Sequence, residues 1–199
     1  MIILALLGWS PKDDTEIFSP QELVERFSLE AVNHSAAKFD ITKCRWVNQQ
    51  HIIALPPEEF AAKARPFCLQ AGLPDSGILN EAIATVQTKV QTLAEVPDKI
   101  RFFFHLSMDP EALAKVQPEA VELLSKLADR LEREPVWDGH ELIGVLKAFA
   151  KENGVKMGAV MFPARVALTG LSGGPDLSAV FSLLGKEESL KRIRAFSLN

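Results

Sequence analysis

Helix-start signals recur so densely along this chain, and strand signals so rarely, that the pattern points to a single class of fold. Ser19-Pro20-Gln21-Glu22 places a capping serine, a proline at the first helical position and a glutamate three residues after the cap, opening "PQELVERF". Pro57, Pro110 and Pro118 stand at the starts of "EEFAAKARPF", "EALAKV" and "EAVELLSKLADRLERE". Asp138-Gly139-His140-Glu141 repeats the capping box before "LIGVLKAFAKEN", and Gly154 is a natural stop. Apolar residues then follow helical spacing: Leu123, Leu127 and Leu131 with Val121 and Leu124, and Leu142, Leu146, Phe149 and Ala150. Period-2 alternation and hairpin dipeptides are nearly absent. The expectation is an all-α fold of about ten short helices, without strand–helix alternation.

Breaks near Pro56-Pro57 and Ser107–Pro110 divide the chain into 1–56, 57–108 and 109–199, with no internal repeat or low-complexity tract. The opening "IILALLGW" reads as the end of an amphipathic helix with no cap before it, so the chain is expected to be part of a longer protein. It is too short for a membrane span and lacks a basic flank, which argues against a signal peptide or anchor. With 47% hydrophobic and 24% charged residues, the 199-residue chain belongs among soluble globular proteins. Cys44 and Cys68 match no metal or redox spacing, and free thiols in a reducing cytoplasm are the favoured reading.

Catalytic chemistry is not evident. His34, His51, His105 and His140 form no metal-ligand pattern, and no metal site is expected. Ser172-Gly173-Gly174-Pro175 precedes a helix but lacks phosphate-loop spacing, so an ordinary loop with Pro175 at the first helical position is preferred. Glu58-Glu59 and Glu187-Glu188 are adjacent and diverge on a helix, so neither makes an acid/base pair.

Charge is uneven. Residues 1–149 carry 15 basic against 22 acidic side chains, a net of −7, whereas residues 150–199 carry seven against four, a net of +3. That asymmetry points weakly to a polyanionic partner, and a solvated helix face explains Lys186 to Arg194 equally well. Arg165 stands out because it interrupts the apolar run "VKMGAVMFPARVALTG". Desolvating a guanidinium without a partner is costly. Arg165 therefore either lines a rim and caps carbonyls, or faces something anionic or flat. Trp9, Trp46, Phe102, Phe103 and Phe104 are expected in the core, and Trp137 is expected to pack on Leu142 as a staple.

Four stretches together resemble the C-terminal part of bacterial-type glutamyl-tRNA synthetase. They are "LALLGWSPKDDTEIFSPQELVERFSLEAVNHSAAKFDITKCRWVNQQHI", "TLAEVPDKIRFFF", "ENGVKMGAVMFPARVALTG" and "GPDLSAVFSLLGKEESLKRI". Their order and spacing agree with the family over essentially the whole chain. The nucleotide-binding motifs H-x-G-H and K-M-S-K-S of class I synthetases do not occur in this sequence. The resemblance implies that 1–56 ends a stem-contact region, and that 57–108 and 109–199 are two helical anticodon-binding subdomains, a helix cage. It implies that Arg165 and Lys147 meet anticodon bases or their phosphates. The loop bearing Gly174, Pro175 and Leu177 would support base contacts by shape and backbone. Lys89 matches a position where some glutamate-specific members carry an arginine that screens the third anticodon base. Lysine lacks the planar fork, which weakens bidentate reading there. Gln87 also departs from basic residues found in some relatives.

Sequence-specific RNA reading stacks unstacked loop bases on aromatic or guanidinium planes and bonds their edges. Arg165 beside Phe162 and Pro163, in a loop between helices, fits that chemistry. Lys43 and Arg45 are candidates for the tRNA stem backbone, with a solvated helix face as the equal alternative. The expected function is tRNA anticodon-loop recognition within glutamate–tRNA ligase. Its partner would be glutamate tRNA, with glutamine tRNA as a further candidate. The chain would have no catalytic activity of its own and no cofactor of its own, since ATP and magnesium belong to the catalytic module of the full-length enzyme. A cytoplasmic monomer without membrane contact is expected. The competing reading is a helical protein–protein adaptor with no RNA role.

Overall fold

The structure, a computed structural model, describes residues 5, 8, 9, 11, 13, 15–32 and 39–196. Among the described residues lie ten α-helices, the last kinked at Gly185 (φ 72°, ψ 175°), and four short 3-10 turns, with no strand beyond one isolated bridge between Trp9 and Val32. The helices are α1 (Pro20–Arg26), α2 (Ile41–Ala54), α3 (Pro57–Gln70), α4 (Leu79–Ala84) and α5 (Val96–Ile100). They continue with α6 (Pro110–Leu113), α7 (Glu119–Glu132), α8 (Gly139–Glu152), α9 (Gly158–Thr169) and α10 (Leu177–Ala195). Most of the opening "IILALLGW", and hence the helix end read there, lies outside the described residues.

The helices begin where their caps dictate. Ser19 Oγ accepts the Glu22 N–H at 3.1 Å, and the Glu22 carboxylate accepts the Ser19 N–H at 2.7 Å, completing the box on α1. Asp40, Asp109 and Asp138 each accept first-turn N–H groups of α2, α6 and α8. Each such cap stabilises its helix by ~1 kcal/mol. At Asp138 only the aspartate half of the expected box forms, with His140 and Glu141 N–H as donors.

A single hydrophobic cluster runs from Ile52 to Phe196 and crosses the break at 108/109 without interruption. Leu124, Leu127 and Leu131 of α7, and Leu142, Leu146, Phe149 and Ala150 of α8, are buried in it; Leu123 and Val121 are only partly so. Trp9, Phe18 and Leu23 form a second, small cluster. Gly170 makes a tight joint within the larger one. It ends α9 at φ 73°, its carbonyl accepts the Asp109 N–H at 2.9 Å, and an added Cβ would sit 1.9 Å from the Ser107 carbonyl oxygen. Only glycine meets both demands.

Several expected placements change. Trp46 is 38% exposed on α2 instead of being core. Trp137 packs edge-on against Phe181, with centroids 5.8 Å apart, and donates its indole N–H to the Phe181 carbonyl at 2.9 Å. An indole N–H out of water needs an acceptor, and α10 supplies it, while the ring packs against the large cluster that contains Leu142. The "VMFPARVALT" run is helix α9, not a loop, with Pro163 accommodated inside it. Pro175 precedes the α10 cap residue Asp176 and is not the first helical position.

Candidate nucleic-acid interface

Two open grooves meet beside the start of α10. One, of about 530 Å³, is walled by His140, Ile143, Gly144 and Lys147 of α8 and by Met161 and Arg165 of α9. Asp176, Leu177 and Ser178 close its end. Residues spaced by three and four share a helix face, so each wall is one stripe of its helix. The other groove, also about 530 Å³, is lined by Gln49, Thr88, Lys89, Lys99, Asp109 and the loop Leu171–Gly174.

Arg165 is half-buried on α9, and its Nη1 donates to the Pro175 carbonyl at 2.7 Å. Burial pushes its pKa down from the ordinary guanidinium value, and the Asp176 charge works against that shift. Both readings of this residue find a footing: it caps a carbonyl, and it also walls an open groove. Phe162 and Pro163 do not join it there. They line a separate apolar groove with Ala120, Leu123 and Val155, so the aromatic neighbour expected for base stacking faces elsewhere.

Lys147 is exposed on α8 in the same groove as Arg165. Leu177 is only 2% exposed and Pro175 is buried; both hold the loop from below. Gly174 lines the second groove at φ 142°, a backbone state that side chains rarely adopt. Lys89 reaches across to Asp176, Nζ to carboxylate 3.5 Å, and so ties the 57–108 part of the chain to the loop ahead of α10. Arg165, Lys147, Lys89, Gly174, Pro175 and Leu177 therefore converge on one face.

Lys43 and Arg45 line neither groove. They lie on α2, where Lys43 pairs with Glu16 and Arg45 is exposed with no ion pair to another of the described residues. Yet α2 does shape the second groove. The Gln87 amide donates to the carbonyls of Ile52 and Leu55, each at 2.8 Å, at the C-terminal end of α2. Asn48 and Gln49 in turn donate to the Gln91 and Thr88 carbonyls. This amide clasp fixes the turn that carries Lys89.

The basic C-terminal quarter is less available than its count implies. Arg192 is buried, with Nη1 donating to the Phe102 and Leu168 carbonyls, each at 2.8 Å, and Nε to Glu188 at 2.7 Å. Arg194 pairs with Asp129 and Glu132. A solvated face thus describes Arg194, which is exposed, but not Arg192. Sequence reasoning missed Asp176, Lys99, Gln49 and the groove position of His140. With Pro175 taken as the first helical residue, Asp176 falls inside the helix and its role is concealed.

The anticodon binding domain family model matches residues 59–197. The chain is 87% identical over all 199 of its residues to a glutamate–tRNA ligase of Akkermansia muciniphila, covering 46% of that protein. It is 36% identical to the glutamate–tRNA ligase of Thermus thermophilus, over 96% of this chain and 42% of the relative. A crystal structure of a glutamate tRNA ligase from Elizabethkingia meningosepticum superposes with a TM-score of 0.82 at 28% identity, over 96% of this chain and 39% of that one. The chain spans less than half the length of these relatives.

Proposed function

Because the chain belongs to the anticodon binding domain family, we propose that it recognises the anticodon loop of tRNA on behalf of a glutamate–tRNA ligase. The observation that carries this reading is the convergence of Arg165, Lys147 and Lys89 beside the α10 loop. Arg165 commits one donor to the Pro175 carbonyl, and a guanidinium has five. Lys147 forms no ion pair among the described residues, so its charge is open to phosphate. Single-stranded loops are read by such donors together with a shaped backbone, and the Gly174–Pro175 loop supplies the latter. Lys43 and Arg45 on α2 serve the backbone of the tRNA stem, which adds affinity without sequence information.

Aminoacylation, with its ATP and magnesium, belongs to a catalytic module whose signature motifs this sequence does not contain. The 199-residue chain should therefore bind tRNA weakly and show neither aminoacylation nor ATP–pyrophosphate exchange. Gel-shift titration with a tRNA bearing a glutamate anticodon, beside an anticodon mutant, tests this. We expect preference for the former, lost by about tenfold in Arg165→Ala, a bidentate-type base contact being worth ~1–3 kcal/mol. Equal affinity for both tRNAs, untouched by the substitution, would refute the assignment. Salt separates it from a protein-binding adaptor: RNA affinity should fall with a log–log slope of about −0.7 per phosphate neutralised.

A further inference from the structure

Asp176 behaves unlike the other cap aspartates of this fold. Asp40, Asp109 and Asp138 all turn their carboxylates onto the N–H groups of their own helices. Asp176 has the same extended cap backbone (φ −64°, ψ 138°) but makes no side-chain bond to α10. Its carboxylate is instead 79% exposed and faces Lys89 at 3.5 Å. It also borders the groove of Arg165, and its charge acts on that guanidinium. One carboxylate therefore stands between two cations that approach it from different parts of the chain. Lys89 comes from the turn after α4, and Arg165 from α9.

We propose that Asp176 is a specificity-determining residue of the RNA site, an internal anion that occupies Lys89 and borders Arg165 until a loop base offers its carboxylate a hydrogen-bond donor in exchange. This rests on the anticodon reading above. An ionised carboxylate only accepts hydrogen bonds, so it suits the exocyclic amino edge of a base such as cytosine and repels phosphate. A loop presenting phosphate alone meets two partly neutralised cations and a like charge. A loop presenting an amino edge engages the carboxylate and frees the cations for its own backbone. Discrimination then comes from penalising the wrong partner as much as from attracting the right one.

The test uses the 199-residue chain and Asp176→Asn, Lys89→Met and the double variant. Each is titrated at one salt concentration with tRNA transcripts bearing a glutamate anticodon or the same anticodon with its third base changed. Since Asp176 makes no cap bond, Asp176→Asn should melt with the wild type. It should bind the changed transcript about fivefold more tightly, the scale of one exposed ion pair released, and bind the original with little change. The preference should shrink accordingly, and in the Lys89→Met background the tightening of Asp176→Asn on the changed transcript should be much smaller, since there is no ion pair to release. Equal tightening on both transcripts would overturn the proposal, because it would show a general charge effect. An unchanged preference would overturn it too. If the wild type itself shows no preference between transcripts, the anticodon reading fails and the proposal with it.

Discussion

Arg192 and Arg165 show how burial and available acceptors divide one side-chain type between two tasks. Arg192 is 6% exposed and places its donors on two carbonyls and one carboxylate, which locks the Arg101–Phe103 turn, α9 and α10 together. Arg165 is half-buried, bonds a single carbonyl and leaves the rest of its fork toward a groove. The Glu188 carboxylate is held below the ordinary glutamate range, chiefly by its hydrogen bond from Arg192. A carboxylate with a lowered folded-state pKa stabilises the fold above its unfolded pKa, and that stability is lost as pH falls through the folded value. Glu188→Gln should therefore cost about 1 kcal/mol at neutral pH, discounted for the partial exposure of the carboxylate. The gap between wild type and variant should close as pH drops below the ordinary glutamate value of ~4.3. Denaturant melts at neutral and acid pH would check it, and a gap that widens in acid would contradict the assignment.

At the level of elements, local chemistry and distant chemistry behave differently. The caps at Ser19, Asp40, Asp109 and Asp138 act within three residues, so a reader of the sequence sees both partners at once. The buried stripe of α8 was likewise legible from its spacing. Gln87 was not. Its acceptors lie 32 and 35 residues away, and nothing near it announces that it caps α2. For the same reason Arg192, whose Phe102 partner is 90 residues distant, read as a surface charge. Asp176 falls inside the helix when Pro175 is taken as its first residue, so the sequence does not mark it. Gln87→Ala tests the clasp. It removes the donor that closes the end of α2 and should cost about 1 kcal/mol, since water reaches part of the exposed carbonyls. Amide exchange at Thr88, Lys89 and Val90 should quicken, and anticodon discrimination should fall even with Lys89 intact. Unaltered exchange in that turn would show that Asn48 and Gln49 suffice.

For the molecule as a whole, what matters is where stability and binding reside. The net charge of −4 gives no general attraction to RNA, so affinity must come from the local field of the grooves beside α10. Those grooves are built on the large cluster that begins at Ile52, whereas among the described residues the Trp9–Phe18–Leu23 cluster is separate from it. Helix α2 lies on the large cluster's side of that divide, because Ile52 is buried in it and the amide clasp docks the Lys89 turn onto α2. Two shortened chains distinguish these roles. Residues 39–199 keep α2 with its Asp40 cap and should unfold cooperatively at nearly the temperature of the full chain. Residues 57–199 lose Ile52 and the α2 side of the clasp, leaving the Gln87 amide and the Thr88 and Gln91 carbonyls without their partners. Burying Ile52 alone is worth ~1.5–3 kcal/mol, so the second chain should melt well below the first. Its tRNA discrimination should weaken in step with the loosened Lys89 turn, while residues 39–199 retain it. Circular dichroism melts and the two-transcript titration give both answers. Equal stability of the two shortened chains would mean that the turn and its grooves stand without α2.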